Sequence, residues 1–241
     1  MKRNQSGFTL IEIAIVLVII GLLLGGVLKG QELINSAKVK NLATDFKNIP
    51  IFIYGYQDKY KALPGDDSSA VTHLGTTTCV APCQNGNGNG VIGGSSGTDV
   101  WSSTLPTDET QQFWIHVRLA GLAPGPTSGA SDYRPNNAAG GLIGMQSGTA
   151  CTAAGTPTAS CVATYLTPIK DASGNAIRGS YVICSSGILG KYVKQLDTQM
   201  DDGNTATGSM MAVPNGSAAA TSATATTAID DAAAYTVCYG V

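Results

Sequence analysis

The chain has 241 residues and a formal net charge of −2, and charged residues make up only 12% of it. About a quarter is usual in globular proteins, so this composition disfavours a cytosolic enzyme and is common in secreted, loop-rich β proteins. The acidic balance argues against a nucleic-acid partner, because no basic patch is large enough to offset phosphate.

The first predicted element is an apolar run at residues 8–28 in which Glu12 is the only charged residue. A helix of that length is about 31 Å long, close to the bilayer hydrocarbon thickness of about 30 Å. A cleavable secretory signal is the alternative. It predicts a neutral core followed by a small-residue cleavage site, whereas here Glu12 interrupts the core and no clean site of that kind follows. Lys2 and Arg3 precede the run, so the positive-inside rule places the N-terminus in the cytoplasm.

The next stretch predicts an amphipathic helix. Apolar residues recur three and four positions apart with polar residues between them, which is the period of one helical face. These positions are Val39, Leu42, Phe46, Ile49 and Ile53. We expect this half to pack on the protein's own head, with Pro50 kinking or ending the regular helix and Pro64-Gly65 marking the exit loop.

The remainder, residues 62–241, is predicted to be a head of short strands and polar turns. Its net charge is −6, whereas residues 13–61 carry +3, so a slightly basic stem bears an acidic head. One helix is expected at residues 108–122, and the biased segment 216–228 is expected to be an exposed loop. The strand predictions are residues 100–103, 165–169, 180–185 and 235–240.

The predicted fold class is therefore α+β. A long N-terminal α-helix, with a membrane half and an amphipathic half, packs on a C-terminal antiparallel β-sheet head that contains disulfides and long loops.

Six cysteines, all beyond the apolar run, are an even number and indicate disulfides formed in an oxidising compartment. Zinc is the alternative, but ligand spacing is poor and neither His73 nor His116 has a partner at metal-ligand distance in sequence. Both histidines are predicted to be ordinary surface or core residues. Of the 15 pairings that six cysteines allow, joining sequence neighbours is the simplest: Cys79 with Cys83, Cys151 with Cys161, and Cys184 with Cys238.

Two stretches are candidates for a structural calcium ion, and no other cofactor is expected. Asn85, Asn87 and Asn89 copy the front of a calcium loop but lack its final glutamate, and a glycine-rich surface loop is the alternative. Asp197, Asp201 and Asp202 repel one another unless they are hydrated or bridged by a cation, and a solvated acidic turn is the alternative.

No enzyme motif is present in the sequence. The glycine-rich segment after Asn85 is not a phosphate-binding loop, because no Lys-Ser or Lys-Thr follows it. Neither histidine lies in a recognisable catalytic triad context. We therefore predict that the protein is not an enzyme, with a catalytic head on a membrane stem as the alternative.

Lys2-Arg3, then Gly7-Phe8-Thr9-Leu10-Ile11-Glu12 and the apolar run, resemble the class III signal of type IV pilins and type II secretion pseudopilins. The resemblance implies that prepilin peptidase removes residues 1–7 by cutting after Gly7 and methylates the new N-terminus at Phe8. Residues 8–61 would then be the N-terminal helix, with 8–28 as membrane span and filament core, and residues 62–241 a periplasmic or extracellular head. Weaker resemblance to a pilin-like subgroup is seen at residues 60–67, 184–204 and 235–240.

The resemblance implies a structural subunit of a pilus or pseudopilus-like filament, made with identical or other pilin-like subunits on an assembly platform in the bacterial inner membrane. The precursor would cross that lipid bilayer once. Glu12 is predicted to meet the Phe8 ammonium of the next subunit, and removing one member of such a buried pair costs about 3–5 kcal/mol. An acid in the headgroup zone without that partner is the alternative.

Other interpretations stay open at this point. The chain fits a minor or tip subunit whose head binds a surface, a secreted substrate or DNA, or a membrane-anchored periplasmic protein that never polymerises. Some pseudopilin C-terminal loops bind calcium, which favours the Asp197 stretch over the Asn85 stretch. Many major pilins have a proline within the membrane-proximal helix, and residues 8–49 here have none. A flexible point would then come from Gly25-Gly26.

Overall fold

A computed structural model of the protein describes residues 10–93, 101–148 and 167–241. Its dominant element is helix α1, Leu10–Tyr60. The predicted amphipathic stripe is confirmed, because each of its members is buried, and Ala43 and Tyr56 extend the same face. The apolar residues before Leu28 remain exposed. One continuous helix thus carries two halves with different environments.

α1 does not end at Pro50, since the helix continues to Tyr60. A proline removes one backbone hydrogen bond and crowds the preceding turn. Ile49 and Ile53 on either side of it are buried against the head at 2% and 0% exposure. Burying such side chains contributes about 1.5–3 kcal/mol each, which offsets the cost of the proline.

The head contains a four-stranded antiparallel sheet in the order β1-β3-β6-β4 and a separate parallel pair, β2-β5. The strands are β1 Ile143–Ser147, β2 Ile169–Lys170, β3 Tyr181–Leu189, β4 Met210–Pro214, β5 Thr221–Ser222 and β6 Ala234–Gly240. The helices are α2 Ala70–Leu74, α3 Glu109–Leu119 and α4 Gly190–Met200, and a short 3₁₀ helix spans Thr226–Ala228. The α+β prediction is confirmed.

The strands predicted at 180–185 and 235–240 are confirmed as parts of β3 and β6, and α3 lies within the predicted helix at 108–122. The strand predicted at 100–103 is wrong for residues 101–103, where the Trp101 N–H donates a hydrogen bond to the Gln146 side chain instead of joining a ladder. Of the strand predicted at 165–169, residues 167 and 168 are irregular and Ile169 begins β2, while 165 and 166 lie outside the described residues. The segment 216–228 contains β5 and the 3₁₀ helix rather than loop alone.

The main core lies between α1, α3, α4 and one face of the sheet. Phe46 of α1 meets Tyr239 of β6 edge to face, with ring centroids 6.1 Å apart. The Tyr192 hydroxyl of α4 donates a hydrogen bond to the Asn35 side chain at 2.9 Å. The long helix is therefore held to the head along its C-terminal half by both apolar and polar contacts.

Two disulfides lie in the described part of the chain, and both join sequence neighbours among the cysteines. Cys79–Cys83 closes a short loop, and Cys184–Cys238 joins directly paired residues of β3 and β6. Cys151 and Cys161 lie outside the described residues.

Candidate functional site

The candidate assembly surface is the exposed N-terminal half of α1, residues 10–28. Among the described residues, α1 is the one helix long and apolar enough to cross a membrane, and its most apolar window makes no burial contact with the head. Leu10 is 89% exposed and Leu22 is 74% exposed. A soluble monomer rarely exposes so large an apolar surface, so this half requires a bilayer or other helices around it.

Glu12 lies in the described part of α1 close to its start at Leu10, and it is exposed. Gly7 and Phe8, the predicted cleavage and methylation residues, lie outside the described residues.

The glycines of this half leave open space on the helix surface. A Cβ added at Gly21, Gly25 or Gly26, or at Gly30 just beyond this half, would meet no atom of the described residues within 4 Å. These positions therefore pack against nothing in the described part of the chain. Small residues allow close approach of neighbouring helices in a membrane.

The other end of α1 is fixed by a buried carboxylate that the sequence analysis did not single out. Asp67 is 2% exposed, and its Oδ2 accepts hydrogen bonds from the Tyr56 hydroxyl at 2.8 Å and from His73 Nδ1 at 2.7 Å. Its Oδ1 accepts the Ser69 N–H at 2.9 Å. Burial acts to raise the pKa of Asp67, but these donors outweigh burial and hold the pKa below its usual range. Asp67 is therefore ionised, and its hydrogen bonds with Tyr56 and His73 join α1 to α2.

The neighbouring Asp66 holds the asparagine–glycine loop at residues 85–90. Its two oxygens accept the Asn89 N–H at 3.0 Å and the Gly90 N–H at 2.7 Å. Burial raises the pKa of Asp66, an effect that these N–H donors partly oppose. Gly86 packs so closely on the Asp66 backbone that a Cβ there would lie 2.4 Å from the Asp66 Cα, so only glycine fits.

The asparagine side chains of this loop accept hydrogen bonds from backbone N–H groups. Asn85 Oδ1 accepts the Val71 N–H, Asn87 Oδ1 accepts the Asn89 N–H, and Asn89 Oδ1 accepts the Val91 N–H, each at 2.9 Å. These bonds support the alternative of a glycine-rich surface loop, whose asparagine side chains accept N–H groups in and beside the loop and one N–H of α2. Calcium at Asn85, Asn87 and Asn89 gains no support from this arrangement.

His116 of α3 is a second buried residue that joins separate segments of the head, and no sequence pattern distinguishes it from an ordinary core residue. Its Nδ1 accepts the Gly65 N–H at 2.9 Å, and its Nε2 lies 2.9 Å from the Gln84 carbonyl oxygen. A nitrogen that accepts and a nitrogen that donates require a neutral ring with the proton on Nε2. Burial lowers the pKa of His116 to about 4. The histidine is structural, and it links α3 to the loop that contains Gly65 and to the loop that contains Gln84.

The predicted acidic cluster is brought together at the end of α4. One carboxylate oxygen from each of Asp197, Asp201 and Asp202 lies within 4.8 Å of the others. Asp201 accepts the Met210 N–H and Asp202 accepts the Asn204 N–H, both at 2.8 Å. Asp197 is 1% exposed, and neither of its side-chain oxygens has a hydrogen-bond partner.

The charge state of Asp197 follows from this placement. Burial raises its pKa to about 7, with the negative charges of Asp202 and Asp201 adding to the rise. The nearby Gly203 N–H opposes the rise without reaching hydrogen-bond geometry. A buried carboxylate without a donor is costly. A calcium ion takes carboxylate oxygens as ligands, so the residues present fit such an ion.

Comparison with known proteins matches the N-terminal segment of the chain to a family model. The family model described as the prokaryotic N-terminal methylation motif matches residues 2–28, the segment that includes Gly7, Phe8 and Glu12. This motif is the signature of type IV pilin and pseudopilin precursors, and it implies processing by prepilin peptidase and assembly with pilin-like subunits. Proteins with this motif are structural rather than enzymatic. No curated protein and no solved structure matches the chain.

Proposed function

We propose that this protein is a structural subunit of a type IV pilus or pseudopilus-like filament. The observation that carries the proposal is that the two halves of α1 differ in their exposure. Its motif-bearing half exposes a continuous apolar surface, and its second half is anchored in a folded head. A subunit of this shape places its apolar half in a shared helical bundle and its head on the filament surface.

Processing would prepare the chain for that bundle. Cleavage after Gly7 creates an ammonium at Phe8, which is then methylated. In a poorly solvated bundle this cation needs an acidic partner, because an uncompensated buried charge costs about 3–5 kcal/mol. Glu12 of the adjoining copy is the acid nearest in sequence to that new terminus.

The precursor would lie in the bacterial inner membrane with Lys2 and Arg3 on the cytoplasmic side and the head in the periplasm. The buried Cys184–Cys238 disulfide and the Cys79–Cys83 disulfide support this placement, because disulfides persist in oxidising compartments. Assembly would then draw the subunit from the bilayer onto a platform in the same membrane.

A structural calcium ion is proposed at Asp197, Asp201 and Asp202. The unpartnered carboxylate of Asp197 supports it, because the ion would supply the positive charge that the buried oxygens lack. The ion would tie the end of α4 to the following turn and to β4, whose Met210 N–H already binds Asp201.

The function is tested by imaging filaments sheared from cells that produce the chain, with antibody against the head. Labelling along the filament is expected, and Glu12→Ala should be processed normally but yield few filaments. The matched control is Glu32→Ala, an exposed α1 acid paired with Lys29 at 2.6 Å. Label confined to filament ends would instead indicate a tip subunit, and normal polymerisation of Glu12→Ala would refute the charge-pair mechanism.

A further inference from the structure

Asparagine followed by glycine occurs at four places in the sequence, and the proposed function uses none of them. The four pairs are Asn85-Gly86, Asn87-Gly88, Asn89-Gly90 and Asn215-Gly216. Asparagine is a thermolabile residue, and it loses its side-chain amide most readily before glycine, because no Cβ shields the glycine N–H.

This deamidation needs no partner other than water. The glycine nitrogen loses its proton and bonds to the asparagine Cγ, the Cγ–Nδ2 bond breaks, and ammonia leaves with that proton. The five-membered succinimide that results is then opened by water to aspartate or isoaspartate. A free glycine N–H and a polarised side-chain carbonyl therefore favour the reaction.

Hydrogen bonds from the attacking nitrogens protect the three pairs of the loop at residues 85–90. Gly86 donates its N–H to the Asp67 carbonyl oxygen at 2.9 Å. Gly88 donates to the Asp66 carbonyl oxygen at 3.0 Å, and Gly90 donates to Asp66 Oδ2 at 2.7 Å. A nitrogen held by an acceptor is not free to lose its proton and turn toward Cγ.

The fourth pair differs at the attacking nitrogen. Asn215 and Gly216 are both exposed in the turn after β4. The Gly216 N–H donates no hydrogen bond to any described residue. Gly216 has φ 80°, and a Cβ there would meet no atom of the described residues within 4 Å. This nitrogen is therefore both unbonded and uncrowded within the part of the chain that the structure describes.

The fourth pair also differs at the carbonyl that is attacked. Asn215 Oδ1 accepts the Gly187 N–H at 3.2 Å and the Thr236 hydroxyl at 3.0 Å. Negative charge develops on this oxygen when the nitrogen adds to Cγ, and donors placed at a developing oxyanion lower the barrier. Asn215 thus combines a free nucleophile with an activated carbonyl.

We propose that Asn215 is a site of spontaneous deamidation in the folded protein, and that Asp66 and Asp67 protect the three loop asparagines from the same reaction. The product carries a new negative charge where β3, β4 and β6 meet. Isoaspartate also adds one carbon to the main chain next to the Asn215 N–H, which bonds the Ala234 carbonyl oxygen at 3.0 Å. This inference does not depend on the proposed function.

Peptide mapping by tandem mass spectrometry of the detergent-solubilised full chain, incubated at pH 8, tests the proposal. The mass gain of deamidation should accumulate at Asn215 while Asn85, Asn87 and Asn89 stay intact. In denaturant the three loop asparagines should react at least about tenfold faster than in the fold, because local structure no longer protects them. An intact Asn215 in the folded chain, or loop asparagines that react as fast as Asn215, would overturn the proposal.

The carbonyl donors are tested separately. Thr236→Val removes one donor at similar side-chain shape and should slow deamidation of Asn215 at least about threefold. Thr198→Val is the matched control, because its hydroxyl bonds the Lys194 carbonyl oxygen within α4. Equal rates at Asn215 in the two variants would overturn the activating role of Thr236.

The protecting carboxylate is tested by Asp66→Ala. This change frees the Gly90 N–H but leaves the Gly86 N–H with the Asp67 carbonyl oxygen. Deamidation should therefore rise at Asn89 more than at Asn85. Equal rates at these two asparagines would overturn the protection assigned to Asp66.

Discussion

The Tyr56 hydroxyl donates a hydrogen bond to Asp67 Oδ2 at 2.8 Å, and this contact joins the last turns of α1 to the loop that enters the head. The same oxygen binds His73, and the Tyr60 ring stacks on that imidazole with centroids 5.5 Å apart. Two aromatic residues of α1 thereby fix the start of the head.

Removing this hydroxyl should weaken the junction. Tyr56→Phe keeps the buried ring but deprives the ionised Asp67 of one donor, and hydrogen bonds to charged groups contribute about 1.5–3 kcal/mol. We expect the free energy of unfolding of the detergent-solubilised chain to fall by about 2 kcal/mol in denaturant titrations.

The matched control is Tyr54→Phe, two residues away on the exposed side of α1, where Tyr54 is 61% exposed. Its effect should stay within about 0.5 kcal/mol, as for other surface substitutions. Equal effects of the two variants would show that Asp67 does not depend on Tyr56.

The depressed pKa of His116 predicts a specific loss of stability in mild acid. In the unfolded chain this histidine takes up a proton near pH 6.5, whereas in the fold its pKa is about 4. The unfolded state therefore binds more protons between these values, and stability falls as the pH drops from about 6.5 to about 4. Each pKa unit corresponds to about 1.4 kcal/mol, so the loss attributable to His116 is about 3 kcal/mol.

Thermal or denaturant unfolding between pH 4 and pH 7 measures this loss. His116→Gln should be less stable than the unaltered protein at pH 7, and the difference should shrink toward pH 4. A difference that stays constant over that range would show that His116 does not account for the acid sensitivity. His73→Gln serves as the comparison for the partly exposed histidine that contacts Asp67.

Calcium should stabilise the head through Asp197. Millimolar calcium is expected to raise the melting temperature of the chain, and Asp197→Asn should abolish this rise while stabilising the calcium-free protein, since it removes a buried carboxylate that lacks donors. Asp171→Asn is the control, because this exposed carboxylate binds Asn175 away from the cluster. A calcium response that survives in Asp197→Asn would contradict the assignment.

The same site should lose its affinity in acid. Calcium binds the ionised carboxylate, and the pKa of Asp197 is raised to about 7, so protons compete with calcium as the pH falls below about 7. Isothermal titration with calcium at pH 8 and pH 6 measures the change, and the dissociation constant should be larger at pH 6. Equal constants at the two pH values would argue against Asp197 as a ligand.

The long helix and the two central strands were predictable because local sequence determines them. The stripe from Val39 to Ile53 has helical spacing, and the β-branched and aromatic segments of β3 and β6 favour strands. β1 and β4, with the sequences IGMQS and MMAVP, carry no alternation because nearly all of their residues are buried. Trp101 was misassigned because its role depends on Gln146, which is distant in sequence.

The same distinction between local sequence and tertiary packing applies to the candidate sites. Three aspartates close in sequence predicted the cluster at Asp197, but the lack of donors around its carboxylate depends on packing that spacing does not reveal. Asp67 binds Tyr56 of α1 and His73 of α2, and His116 binds Gly65 and Gln84 in two separate loops. No local pattern therefore distinguished them from surface or core residues.

Mass spectrometry of the mature N-terminus, on chain purified from its filaments, tests the central claim most directly. The account predicts a polypeptide that begins at Phe8 and carries one added methyl group on its amine. Functional filaments built from a chain that still begins at Met1, or that begins after residue 28, would contradict it.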